Sequence, residues 1–531
     1  MKKLIFTILL LATVGFVFDS CSKSKYEELY PDPAKTSTAT VENFMTGVFQ
    51  AGNPVNLPAY WRYFVIENST SGHYTQAFGW VNGKDQYIPS SVAQEARWGY
   101  FYDVMRQYRE MQDLYNQLST EDQADKRIFM IAATVFMYDQ TEQMVDMWGD
   151  IPWSEAGKLK VNGGDLTASL PKYDNAIDIY TAMLDDLKSI ADELPTITLN
   201  SAYASIFTSK DYINNGDILG WRKYVNSLRL RMLARVSGVS SLSSRVSAEM
   251  TAILGDPTKY PVVDNNAENI LIDAKAPDLL AITNQYGGIK DGLETWGTQN
   301  FAPKAMIDLM NTAADPRLPV LFDPSLGIYE GIDPTATEEA QSNFISANRV
   351  ARYDSVTFSR NDAFPGIIIT AAEVSFIKAE AIQKGWVSGD AKTAYETGIQ
   401  QSIDFYYGLN ELGSQNLYEF GRAAEAPYTA EQVTAYLESS PVKWDGSANK
   451  MQLIATQKWL HFNIAQLTQN WSELRRLNLP ALQFQVDGTS AVSSPPVRFV
   501  YPSTEKQLNG TNYEVVASKD NYTTKIFWDV D

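Results

Sequence analysis

The stretch AAEVSFIKAEAIQKGWVSGDAKTAYETGIQQSIDFYYG, residues 371–408, decides the reading of the fold. Two apolar-periodic segments flank a turn marked by Gly385 and Gly389, and small residues (Ala379, Ala381, Ala394, Gly398) alternate with large ones. Small side chains let two helices approach closely, while the large ones fill the space beside the contact. The pattern predicts a helical hairpin, with helices over 370–385 and 391–407.

Working outward, the same periodicity predicts helices near 95–118, 122–147, 173–193, 221–237, 301–312 and 450–477. In the last, Leu460, Ile464, Leu467, Trp471 and Leu474 follow at spacings of four, three, four and three, with Trp459 and Phe462 on a neighbouring face. So wide an apolar arc needs packing on two sides, which stacked hairpins provide. The 371–408 unit is close in length to a tetratricopeptide hairpin, but no fixed period runs through the chain. Strand-like pieces such as PVVDN, ENILID and VRFVYP are short. The fold class expected is mainly α: tetratricopeptide-like stacked helical hairpins with long irregular loop insertions and few short strands.

The N-terminus reads MKKLIFTILLLATVGFVFDSC, two lysines and an apolar run ahead of Cys21, the chain's one cysteine. The run is too short to span a bilayer and has the layout of a signal peptide, residues 1–20. Cys21 has no partner for an intrachain disulfide, and its position is that of a bacterial lipoprotein cysteine that carries lipid. Residues 21–40, polar with Pro31 and Pro33, read as a lipid-anchored tether, and 41–531 as one binding domain. With 44 basic and 63 acidic residues the net charge is −19, which argues against nucleic acid as a partner.

Several stretches, in order, resemble the SusD/RagB outer-membrane lipoproteins, and in particular the SusD-like branch: MWGDIPWSEA (147–156), WRKYVNSLRLRMLARVS (221–237), AADPRL (313–318), ITAAEVSFIKAEAIQKGW (369–386), QKWLHFNIAQLTQNWSELRRLNLP (457–480), PPVRFVYPSTEKQLNGTNYEVV (495–516) and IFWD (526–529). The resemblance implies an outer-membrane lipoprotein, anchored through Cys21 and facing the cell surface. It would bind oligosaccharide and deliver it to a SusC-type TonB-dependent transporter. RagB-like relatives imply an alternative, capture of peptides on the same scaffold. Most of the matching signatures read as scaffold: Gly149 and Pro152 end a helix and force a turn, and Arg475 and Arg476 occupy a helix's last turn.

Catalysis finds no positive support, and no cofactor is implied. Two histidines and one thiol exclude a histidine-rich zinc site and a Cys-His nucleophile, and GxSxG and P-loop motifs are absent. His461 reads as a packed histidine and His73 as a loop residue able to touch a ligand. A surface glycoside hydrolase, the alternative of another class, needs a carboxylate pair; Glu142 and Asp146, one helical turn apart, read instead as a solvated face. The anomaly is aromatic density: residues 60–102 contain twelve aromatics, against 12% in the chain. Tyr74, Phe78, Trp80 and Asn82 stand among small polar residues, a composition suited to presenting flat rings and amides to a sugar. Tyr286 and Trp296 belong to a second such segment, residues 284–300. The competing reading is that these rings plug the base of the helical scaffold.

Overall fold

The computed structural model describes residues 39–274, 288–295, 300–415 and 422–530. Cys21, Tyr286 and Trp296 lie outside these residues, as does nearly all of the expected tether.

The hairpin of residues 371–408 is present as α7 (Ala371–Gln383) and α8 (Ala391–Ser414). Thr370 and Asp390 cap the two helices, and Gly385 and Gly389, at φ 75° and 157°, make the turn between them. Gly398 permits the close approach: a Cβ there would lie 2.6 Å from the buried Phe376 ring. α9 (Lys450–Phe462) packs on this pair, and α10 (Leu467–Leu477) packs on α9.

The N-terminal half stacks α1 (Val41–Asn56), α2 (Ser91–Asn116) and α3 (Arg127–Trp148), then pairs α4 (Ala176–Glu193) with α5 (Ile218–Arg235), and α5 with α6 (Ser243–Gly255). Gly149, at φ 80°, ends α3 as expected. The described strands form three two-stranded antiparallel pairs: β1 (Ile151–Pro152) with β2 (Tyr173–Asp174), β3 (Ile270–Ile272) with β6 (Gly366–Ile369), and β4 (Phe322–Asp323) with β5 (Arg352–Tyr353). The mainly α, tetratricopeptide-like architecture is thus as expected. No helix among the described residues is long and apolar enough to cross a membrane.

Two boundaries differ from the sequence reading. The helix expected over 450–477 breaks at Asn463, where φ is 24°. There the Asn463 side chain replaces the ladder: Nδ2 donates to Leu460 O at 3.1 Å and Oδ1 accepts from Ala465 N at 3.1 Å. Of the expected strands, only the ENILID piece forms one. α1 and the π-helical turn Trp61–Gly72 were not among the expected helices.

The two halves meet across a buried ionic layer. Arg231 donates two bonds to Glu373, at 2.6 and 2.8 Å; Arg235 reaches Asp146 at 2.7 Å; Arg476 clamps Glu380 at 2.7 and 2.8 Å and also pairs with Glu473. Glu142 and Asp146 belong to this layer and are fully buried, which corrects their reading as a solvated face. Helical spacing of two carboxylates looks alike on a wet face and against arginines of another helix. Burial pushes the Glu142 carboxyl up to about 8, against the pull of Arg231 and with Asp146 adding to the rise.

Candidate functional site

The aromatic segment after residue 60 faces inward. Tyr74, Phe78, Trp80 and Asn82 are all buried, with Trp80 the most accessible at 6%. Trp80 stacks on His73 at 4.6 Å and donates to Gln86 Oε1 at 3.0 Å; the Tyr74 hydroxyl donates to Tyr87 O at 3.0 Å; Phe78 meets Tyr353 edge-on. Asn82 donates through Nδ2 to Pro334 O and Ala336 O and through its backbone N to Gln341 Oε1, so it fixes the 333–341 loop. The expectation of rings presented to solvent is corrected here. The apolar company missing from the local sequence arrives from residues 301–353 and 471–485, far along the chain. Tyr74 lines a cleft of about 380 Å³ with Trp471 and Phe484.

His461 is fully buried, and His73 is half-buried with its Nδ1 shielded. His461 lies between Thr370 Oγ1 (2.8 Å) and Ser402 Oγ (3.0 Å), and burial, reinforced by Arg317, pushes it down to about 3. Burial does the same to His73, whose Nδ1 has no hydrogen-bond partner, so its expected contact with ligand is not supported by exposure of that atom.

Partly open rings occur one turn earlier. Tyr60 and Phe64 stack at 4.9 Å and 14° and are half-buried. The short helix Ile289–Glu294 rests on this turn through Gly292, where a Cβ would come within 3.1 Å of Tyr63 Cβ. Its last residue, Glu294, receives both arms of Arg360 at 3.0 Å and the Ser359 hydroxyl at 2.6 Å. Burial opposes ionisation of Glu294, but these bonds outweigh it and hold the carboxyl below the usual range.

An open cleft of about 660 Å³ is assembled from four separated segments. The first wall is the loop after α1's partner helix Ser201–Lys210. Its shape is set by Asp211, whose carboxylate accepts from the backbone N of Ile213, Asn214 and Gly216 at 3.0 Å each and from Trp221 Nε1 at 2.7 Å. This cradle presents Tyr212, Ile213 and Asn215, the last in a left-handed conformation that asparagine tolerates. Asn266, Asn269, Leu271 and Asp273 form the second wall at β3; Asn266 donates to Gln401 O at 2.9 Å, and Asn269 accepts from Ala371 N at 2.8 Å, tying the wall to α7 and α8. Ala363 and Pro365 contribute an apolar edge. α8 supplies the fourth wall: Asp404, Phe405, Gly408, Leu409 and Leu412.

Chemically the cleft combines aromatic and aliphatic floor with amides and carboxylates along its edges, the combination that takes a polyhydroxylated ligand. Its size is that of a small-molecule site. No Ser, Cys, His, Lys or Arg lines it among the described residues, so it holds no nucleophile with a base beside it. Among the described residues no group of three or more His, Cys, Asp or Glu side chains could hold a metal ion. No sequence signal identified the cleft, because each wall supplies only a few unremarkable residues.

Comparison with known proteins agrees with this architecture. A family model described as starch-binding and associating with the outer membrane matches residues 37–502. A chitin-binding SusD homologue from Flavobacterium johnsoniae superposes with a TM-score of 0.69 at 22% identity, covering 92% of this chain and 99% of its own. A SusD-like protein from Bacteroides thetaiotaomicron gives 0.67 at 22% identity, covering 92% and 98%. A second chitin-binding protein gives 0.71 at 21% identity, covering 93% and 100%. A search of curated proteins returns no match.

Proposed function

The chain belongs to the SusD-like family of starch-binding proteins that associate with the outer membrane, and from that premise we propose that it captures oligosaccharide in the α8 cleft and passes it to a SusC-type TonB-dependent transporter. Cys21 carries the lipid that holds it at the cell surface. The observation that carries the reading is the cleft itself, where Tyr212 and Phe405 share the walls with Asn215, Asn266 and Asn269. Asn215 makes no side-chain hydrogen bond among the described residues, which leaves its amide for a ligand hydroxyl. Tyr74, Phe78, Trp80 and Asn82 act by fixing neighbouring loops, and Tyr286 and Trp296 supply ligand-stacking rings.

A peptide ligand, the RagB-like alternative, needs groups that hold chain termini; no cation lines the cleft among the described residues to receive a terminal carboxylate. The test is calorimetric titration of residues 22–531 with starch-derived and chitin-derived oligosaccharides and with mixed peptides, in wild type, Gly408→Trp and Trp296→Ala. A Cβ at Gly408 meets nothing within 4 Å, so a tryptophan there fills the cleft without disturbing the core. The expected result is saturable heat with an oligosaccharide, weakened at least tenfold, about 1.4 kcal/mol, in Gly408→Trp. Heat with peptides alone refutes the carbohydrate reading, and release of new reducing ends during incubation refutes binding without hydrolysis.

A further inference from the structure

The cleft of about 380 Å³ beside Tyr74 shares no lining residue with the α8 cleft and has a different chemistry. Its walls are apolar, from the rings of Tyr74, Trp471 and Phe484 to Pro496, and no carboxylate lines it among the described residues. Two polar side chains stand in that lining: Arg475, in the last turn of α10, and Asn478, directly after it. Arg231, Arg235 and Arg476 of the ionic layer each hold a carboxylate, whereas Arg475, 6% exposed, meets only neutral acceptors among the described residues. Its Nε donates to Trp471 O at 3.2 Å, Nη1 to Asp146 O and Val497 O at 2.8 Å each, and Nη2 to Ser472 Oγ at 3.2 Å. The Asp146 carboxylate itself is taken by Arg235 at 2.7 Å.

Those four bonds leave one N–H of Nη2 without an acceptor among the described residues. The guanidinium stacks on Trp471 at 3.9 Å, and neither the Trp471 indole N–H nor the Asn478 amide has a hydrogen-bond partner among the described residues. Burial pushes the guanidinium down to about 9, against the pull of Asp146, so it stays protonated at neutral pH. We infer that this cleft is a second binding site, built for a small carboxylate with an aromatic or branched aliphatic body, whose anionic head meets Arg475 and Asn478 while its body lies on the rings and Pro496. The site stands apart from the carbohydrate reading and holds whether or not the α8 cleft takes sugar.

A few donors converging in an otherwise apolar cleft is the usual construction of a small-molecule site, and the volume falls in the usual range. The body of such a ligand supplies most of the affinity by burying apolar surface against the rings. Its head supplies the selectivity, because a primary amide of the same shape keeps the packing and loses the charge. Hydrogen bonds to an ionised partner are about twice as strong as neutral ones. Water at the open side of the cleft reduces that difference, which sets the expected preference for acid over amide at about fivefold or more at low ionic strength.

The experiment is titration of residues 22–531 at neutral pH and low salt with phenylacetate, phenylacetamide and acetate, followed by ligand-observed NMR, in wild type, Asn478→Asp and Ala481→Trp. Both positions are exposed, and the left-handed backbone at Asn478, φ 50°, is one that aspartate also adopts, so both variants should fold, as their urea midpoints will check. The first variant sets a like charge beside Arg475, and the second fills the cleft. The expected result is saturable binding of phenylacetate, weaker by about fivefold or more for phenylacetamide and for acetate, and weakened to a similar degree in both variants. Equal affinity for acid and amide overturns the anionic head, and acetate binding as tight as phenylacetate overturns the apolar body. Phenylacetate binding unmoved by both variants overturns the site, and no saturable binding of any of the three overturns the proposal as a whole.

Discussion

Two glycines in α8 give the packing argument its sharpest form. Replacing an interior helical glycine by alanine gains about 1 kcal/mol, because glycine loses more backbone freedom on folding than any other residue. Gly408 should show that gain unopposed, since its Cβ would point into open space. At Gly398 the added Cβ would lie 2.6, 2.8 and 3.0 Å from three atoms of the Phe376 ring. That ring is fully buried, with Tyr395 and His461 rings beside it, so it has little room to withdraw. Overpacking of this kind costs about 1–3 kcal/mol, which leaves Gly398→Ala between neutral and about 2 kcal/mol destabilising. The two substitutions are chemically identical and ten positions apart in one helix, so their difference of about 1–3 kcal/mol isolates the helix–helix contact. Urea unfolding of residues 22–531, followed by circular dichroism, reads it as a shift between midpoints at equal slope. Equal stabilisation by both alanines would refute the close approach of α7 and α8.

Glu380→Gln removes a carboxylate that Arg476 holds by two bonds in the buried layer and should destabilise by about 3–5 kcal/mol, whereas Glu330→Gln, which breaks a half-exposed pair with Arg349, should cost less than about 1 kcal/mol in the same assay. Burial pushes Asp354 up to about 7, with the charge of Asp323 adding to the rise. The folded state then keeps a proton that the unfolded chain releases near pH 4, so this group's contribution is complete below about pH 4 and is lost as pH rises through 7. Asp354→Asn, which preserves an acceptor for Thr357 N and Asn410 Nδ2, should flatten that decline in urea midpoints measured across the same range. Cys21→Ser should move the protein from the membrane fraction to the soluble fraction, and retention in the membrane would refute lipid attachment at that residue.

The helices were legible because a local period reports a local structure. Residues 371–408 contain both partners of one contact within a single turn's reach, and small residues opposite large ones announce it. Asn463 was not legible: a 3.6-residue apolar pattern continues straight across it, and only the three bonds of its own side chain, one of them to the Tyr406 hydroxyl, show why the helix stops. The aromatic segment misled for a related reason. Composition near Trp80 is polar and small, but burial is decided by what covers a residue, and its cover comes from segments hundreds of positions away. Glu142 and Asp146 show the same blindness for charge, since the sequence does not say that Arg231 and Arg235 face them. The cleft is the extreme case, with walls from residues 212–215, 266–273, 363–365 and 404–412. No one wall has the signature of a site.

That construction bears on how such a protein changes over generations. The cleft borders are loop ends and the outer side of α8, while the ionic layer that locks the two halves lies in the interior. On the proposed reading, a substitution at Gly408 or Asn215 alters what is recognised without touching that lock, and a change in one wall leaves the other three in place. Ligand preference can therefore drift in single steps through folded intermediates, with no stage at which diet and stability must change together.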